Sequence, residues 1–98
     1  MQFTNRELET TFELPDAPDM RLVLRYDSVV EANVDKAALY ERLWNGAALV
    51  VQHWSSPHIQ PSDSLERAAT PRALAVVKWC GLAVFSFMLA LKDVDPNS

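Results

Sequence analysis

The residues with chemical potential are few, and they gather in one stretch. "HWSSPH" places His53 and His58 five apart, with Asp63 and Glu66 further along. Imidazoles and carboxylates of this kind can bind zinc, but the spacing matches no recurrent ligand pattern and no thiolate pair accompanies it. Histidines at a helix end or in a loop read as solvated or capping groups. A lone thiol, Cys80, could act as a nucleophile if a histidine activated it. It falls in the middle of an apolar arc, however, where a buried thiol is inert. Serines 55, 56, 62 and 64 lie in a loop without a nucleophile-elbow motif. Gly46 and Gly81 are the only glycines, too few for a phosphate-cradling loop. The residue pattern therefore predicts no enzyme, no cofactor and no metal site.

Charge narrows the partners. The net charge is −4; residues 1–35 carry eight acids against three bases, and residues 36–98 carry five against six. Without a basic cluster the chain has nothing to hold a phosphate backbone, so nucleic acid is not an expected partner. The acidic half suits solubility or contact with a basic protein surface. Cys80 alone rules out an internal disulfide framework and fits a reducing compartment. The start, "MQFTNRELET", lacks the basic head and apolar run of a secretory leader, and the expected address is the cytoplasm.

The elements that position these residues follow from periodicity. Leu8, Thr10, Phe12 and Leu14 alternate with Glu7, Glu9, Thr11 and Glu13. Met20, Leu22, Leu24 and Tyr26 alternate with Arg21, Val23, Arg25 and Asp27. Strict alternation predicts two strands, with "PDAPD" as the turn between them. Pairing Leu14 with Met20 sets Glu13 against Arg21 and Glu9 against Arg25, and also Phe12 against Leu22 and Leu8 against Tyr26. A hairpin over about 7–30 is the expectation, the glutamates being structural.

A helix is expected over about 35–54, capped by Asp35 with Val34 and Leu39 as a staple. Its apolar arc holds Leu39, Tyr40, Leu43, Trp44, Ala47, Val50, Val51 and Trp54; Glu41, Arg42, Asn45, Gln52 and His53 face away. Gly46 weakens this helix by about 1 kcal/mol or marks a break in it. A Ser- and Pro-rich loop covers about 55–69, and a second helix runs over about 70–92 with Thr70 as cap and Pro71 at its first position.

That last helix poses the main question. From Ala73 to Leu91 every residue is apolar except Lys78, Gly81 and Ser86. Nineteen residues rise roughly 28 Å, enough to cross a bilayer core of about 30 Å. Arg67 and Arg72 before the run and Asp93 and Asp95 after it suit a span with its N-terminus inside. The helical wheel favours a packed helix. Leu74, Val76, Val77, Cys80, Val84, Phe85, Phe87, Met88 and Leu91 crowd one half, while Arg72, Lys78, Ser86 and alanines share the other with Trp79, Leu82 and Leu89. A lipid-facing helix has no reason for that asymmetry. Trp79, Leu82 and Leu89 form an apolar patch on the wet face, which is either a docking surface or oligomer seam, or is explained by the hairpin covering one side of this helix and the first helix the other. Trp79 is the leading contact residue, tryptophan being enriched at binding hot spots.

The expected fold class is thus α+β, one small domain with an N-terminal β-hairpin packed with two α-helices. Its layout, carried by "FELPDAPDMRLVLRY", "AALVVQHWSSPHIQPSD" and "TPRALAVVKWCGLAVFSFM", resembles the small tail assembly chaperones of long-tailed bacteriophages. The resemblance implies a non-enzymatic cytoplasmic protein that shields a long helical tape measure protein during tail assembly. That family has no invariant motif from which site residues can be carried over, and a frameshift extension or second domain is not seen in these residues. Two other readings stand beside it, a small single-span membrane protein and an acidic inhibitor or adaptor working through its hairpin.

Overall fold

The computed structural model describes residues 1–32, 34, 38–68 and 70–92. It is an α+β domain in which a three-stranded antiparallel sheet meets three helices. The first strands are β1 (Gln2–Asn5) and β2 (Thr10–Glu13), joined by a four-residue turn. Asn5 builds that turn, its side-chain oxygen accepting the Leu8 backbone N–H at 3.1 Å, while Glu9 adopts a left-handed φ of 53°. Phe3 pairs with Phe12 across the ladder, and their rings stack at 5.0 Å.

Residues 20–26 correct the hairpin reading. They are the first turns of helix α1 (Met20–Glu31), not a strand. Asp19 supplies the cap, its carboxylate accepting the Arg21 N–H at 2.7 Å. The stretch "MRLVLRYDSVV" satisfies both periods over its first seven residues. Val29 and Val30 extend it at helical spacing, so Leu22, Val23, Tyr26 and Val30 turn inward while Met20 and Leu24 stay 67% and 58% exposed. The pairs expected with Arg21, Leu22, Arg25 and Tyr26 therefore do not form. Glu13 instead lies opposite Gln2 and Gln52.

The next helix, α2 (Leu39–Val50), is shorter than the sequence suggests. Its N-cap is Ala38, without a side-chain cap bond; Asp35 lies outside the described residues. Val34 and Leu39 are both exposed, so no staple joins them. At Val51 the chain turns into strand β3 (Gln52–Ser55), which pairs with β2. Trp54 thus belongs to the sheet and not to the helix. A bulge at β3 accommodates the switch, with His53 at φ 51° and a register shift between Thr11 and Glu13. The extra residue turns the Trp54 ring onto Phe12 at 5.9 Å and places it edge-on to Trp44 at 5.7 Å.

The loop that follows, including a 3-10 turn at Leu65–Arg67, is pinned by two indoles. Trp44 Nε1 donates to the Asp63 carbonyl at 2.8 Å, and Trp54 Nε1 donates to that of Ile59 at 2.9 Å. The last helix, α3 (Pro71–Lys92), begins where Thr70 Oγ1 accepts the Ala73 N–H at 3.1 Å.

Both glycines are helix-crossing points. Helix α2 packs against α1 and α3 in turn. A Cβ on Gly46 would stand 2.8 Å from Tyr26 and Val30 of α1, and one on Gly81 would stand 3.1 Å from Leu43 Cβ of α2. Gly46 is therefore no break; it lets α1 approach. The core closes around Phe12, Leu14, Trp44, Val50, Val76 and Val84, and the molecule is thin, 45 × 32 × 17 Å between Cα extremes.

Candidate functional site

Helix α3 has two faces of different character. Ala73, Val76, Val77, Cys80, Gly81, Val84 and Met88 are buried against the rest of the chain. Their spacing of three and four draws one edge along the helix. The opposite edge carries Leu74, Lys78, Leu82, Ser86 and Leu89, all exposed, with Phe85 half-buried beside them. Leu74 and Phe85 thus depart from the arc the wheel assigned them. Leu74 is 37% exposed, and Leu82 and Leu89 are 48% exposed each. From Leu74 to Leu89 the stripe is about 22 Å long at 1.5 Å per residue. Lys78 divides it, its ammonium held 5.2 Å from the centre of the Tyr40 ring on α2. Arg72 bounds it at the N-terminal end, donating to the Glu7 carbonyl at 2.8 Å.

Of the three residues singled out in the sequence, Leu82 and Leu89 share this outer edge. Trp79 does not stand free. Its ring packs edge-on against Phe12 at 5.2 Å and is half-buried, joining α3 to the sheet. The sheet covers the Trp79 flank and leaves the two leucines open.

Sequence reasoning missed a cleft beside this stripe, because it depends on α1 being a helix. Between α1 and α3 lies a cavity of about 130 Å³ lined by Tyr26, Asp27, Val30, Glu31, Phe85, Met88 and Leu89. Tyr26 is buried, and its hydroxyl has no hydrogen-bond partner among the described residues. Burial pushes the phenol well above its ordinary value, because a phenolate there would lose its water; the Asp27 carboxylate acts in the same direction. Asp27 also lines a second, larger hollow with Met20, Val23, Leu24 and Leu91. The signal that could have revealed the cleft is the pair Asp27 and Glu31, four apart and so on one face of a helix.

Most of the chemically suggestive residues have structural partners, whereas the His58 ring Nε2 is buried with no hydrogen-bond partner among the described residues. His53 sits in the bulge, 3.7 Å from the Glu13 carboxylate. His58 donates its backbone N–H to Ser56 Oγ, and the Asp63 carboxylate accepts the Gln60 N–H. No cluster of three His, Cys, Asp or Glu able to hold a metal occurs among the described residues. Cys80 is buried, and loss of solvent pushes its thiol up to about 12, leaving it protonated and unreactive near neutral pH. Comparison with protein-family models, with curated proteins and with solved structures finds no match for this chain.

Proposed function

We propose that this chain is a non-enzymatic protein-binding assembly factor that shields an apolar helical client, in the manner of a phage tail assembly chaperone with its tape measure protein. The observation that carries the reading is the outer edge of α3. Two leucines one heptad apart stand half open to solvent on a helix whose inner edge is already buried. An exposed row of large apolar groups at helical spacing suits a partner helix laid alongside it. Leu82 and Leu89 are the central contacts, and Trp79 acts from the flank by fixing α3 on the sheet.

Co-expression with a tape-measure-like helical protein tests the proposal. The client is expected to remain soluble and to co-purify with the chain, and Leu82→Glu with Leu89→Glu to abolish both effects. A client that stays insoluble, or that co-purifies equally with the double variant, refutes it.

A second reading has its own observation. Residues Pro71–Leu91 are long and apolar enough to cross a membrane; their most apolar window has a mean hydropathy of 2.1, and a third of that window (33%) is buried inside the molecule. Carbonate extraction of a membrane fraction separates the two, because only a spanning chain stays with the lipid. Burial of Val77, Val84 and Met88 within the chain supports the protein-binding reading, since a lone span would leave them to lipid.

A further inference from the structure

We infer that the outer face of α1 is the seam of a homodimer, across which a second copy of the chain lays its own α1 antiparallel. Met20 and Leu24 stand more than half exposed on this face. Arg21, Arg25, Ser28 and Glu31 are exposed beside them, while Tyr26 is buried on the inner side. Arg21, Leu24, Ser28 and Glu31 recur at intervals of three, four and three residues, the a–d–a–d spacing of a helix pair. Hollows flank Leu24 on both sides, one of about 360 Å³ reaching Leu49 of α2 and one of about 460 Å³ reaching Leu91 of α3. Leu24 is thus a ridge between two grooves, a shape that can pack against a copy of itself. The seam lies on α1 and does not depend on the client reading of α3.

Charge selects the occupant. The macrodipole favours acids in the first turn of a helix and bases in the last. Helix α1 has no acid in its first turn and no base in its last; Arg21 opens it and Glu31 closes it. Arg21 and Arg25 also stand four apart, a like-charge spacing that weakens a lone helix. None of the three side chains enters an ion pair among the described residues. By itself, α1 therefore carries its exposed charges in the unfavourable sense. An antiparallel copy reverses that. Setting Leu24 against Ser28 of the second copy brings Arg21 against the second copy's Glu31, and the two-fold axis repeats both contacts. Two ion pairs then close the ends of the seam, and two large-on-small contacts fill its middle with Met20 alongside. A parallel copy would set arginine on arginine and glutamate on glutamate, so the arrangement is specific for the antiparallel one. The seam runs along one helix of 12 residues, about 18 Å, which makes a small and reversible interface.

Sedimentation equilibrium of the whole chain over roughly 1 μM to 1 mM tests the seam. The chain should pass from monomer to dimer within that range. Arg21→Glu and Glu31→Arg should each weaken self-association by more than about tenfold, since each sets like charges together at both ends. Mixed in equal amounts, the two variants should pair with each other, because every end contact between them joins opposite charges. Both changes agree better with the helix dipole, so circular dichroism should show each variant as well folded as the parent. Leu24→Ser, which alters no charge, should weaken the dimer by about tenfold and serves if a charge variant misfolds. A chain that stays monomeric throughout overturns the inference, as does a dimer that survives all three changes or a mixture that fails to pair. So does a dimer lost in Leu82→Glu with Leu89→Glu but kept in the α1 variants, which would place the seam on α3. None of these outcomes bears on whether a client co-purifies, so the two readings fail separately.

Discussion

Replacing Gly46 with alanine separates two physical effects of opposite sign. In an isolated helix the change is favourable, by about 1 kcal/mol, because alanine loses less backbone entropy. In this molecule the new methyl would lie 2.8 Å from Tyr26 Cε2 and 2.8 Å from Val30 Cγ2, with Tyr26 Cδ2 at 3.1 Å. Carbon atoms prefer about 3.5–4.0 Å, so α1 must withdraw by roughly 0.7 Å or more at two adjacent turns. Neither neighbour can swing aside easily, one being the edge of a buried ring and the other a methyl on a short branched side chain. Overpacking of this kind costs about 1–3 kcal/mol, which outweighs the propensity gain at all but its lower limit. The net expectation is a loss of about 1 kcal/mol, and a fall in Tm of about 4–8 °C for a domain of this size. Urea and thermal unfolding followed by tryptophan fluorescence and circular dichroism would measure it. Gly81→Ala is the control, since its methyl meets Leu43 Cβ at 3.1 Å and no second atom closer than 3.7 Å, and it should be close to neutral. Stabilisation of Gly46→Ala by about 1 kcal/mol would refute the argument, because it would mean that α1 does not press on α2 at that point.

Other expectations follow from single groups. Tyr26→Phe removes a buried hydroxyl that has no partner among the described residues. It should stabilise the chain against urea by about 1 kcal/mol or more, and a loss of stability would show that the hydroxyl is bonded. Alkaline pH should weaken the fold. Burial raises the Cys80 thiol from 9.0 to about 12 and raises the Tyr26 phenol too, so the folded state keeps protons that the unfolded state releases. Stability is then level below about pH 9 and declines between about 9 and 12, by up to about 1.4 kcal/mol per pH unit for each group. Urea midpoints across that range check this, and Cys80→Ala should remove the thiol's share; an unchanged midpoint would contradict the burial. Glutamate at both Leu82 and Leu89 should shift stability by no more than about 0.5 kcal/mol per site, because neither side chain belongs to the core. A larger loss in thermal unfolding would place them inside it.

The α+β class was legible, and so was the start of α3, where Thr70 and Pro71 sit as a cap and first residue should. The misreading of residues 20–26 has a definite cause. An apolar residue at every second position over seven residues also satisfies i, i+4 spacing, and the charges of Arg21 and Arg25 happened to match a hairpin register. Strand β3 was hidden for a different reason. "QHWS" continues the helical stripe of α2, and only the free edge of β2, distant in sequence, draws it into a sheet. The outer position of Leu82 and Leu89 could be read from the wheel because it depends on α3 alone. The place of Trp79 could not, because it depends on where Phe12 lies.

The size distribution along α3 bears on what covers it. Its buried edge is built mostly from small and medium residues, Ala73, Val76, Val77, Cys80, Gly81 and Val84, with the larger Met88 towards its C-terminal end, while leucines at 74, 82 and 89 look outward. A helix selected only to stabilise its own monomer would do the reverse, since each buried leucine contributes about 1.5–3 kcal/mol. Small inside and large outside is also the habit of helices in lipid, where close approach of backbones replaces hydrophobic drive. What separates the cases is the rest of the outer edge. Lys78 and Ser86 interrupt it two turns apart, and Lys78 is held laterally by the Tyr40 ring instead of reaching along the helix towards an interface. Lipid tails offer such groups nothing, whereas a partner helix can set its own polar residues against them while its apolar ones meet Leu82, Phe85 and Leu89. The pattern supports the proposed protein-binding reading of this edge over a lipid-facing one.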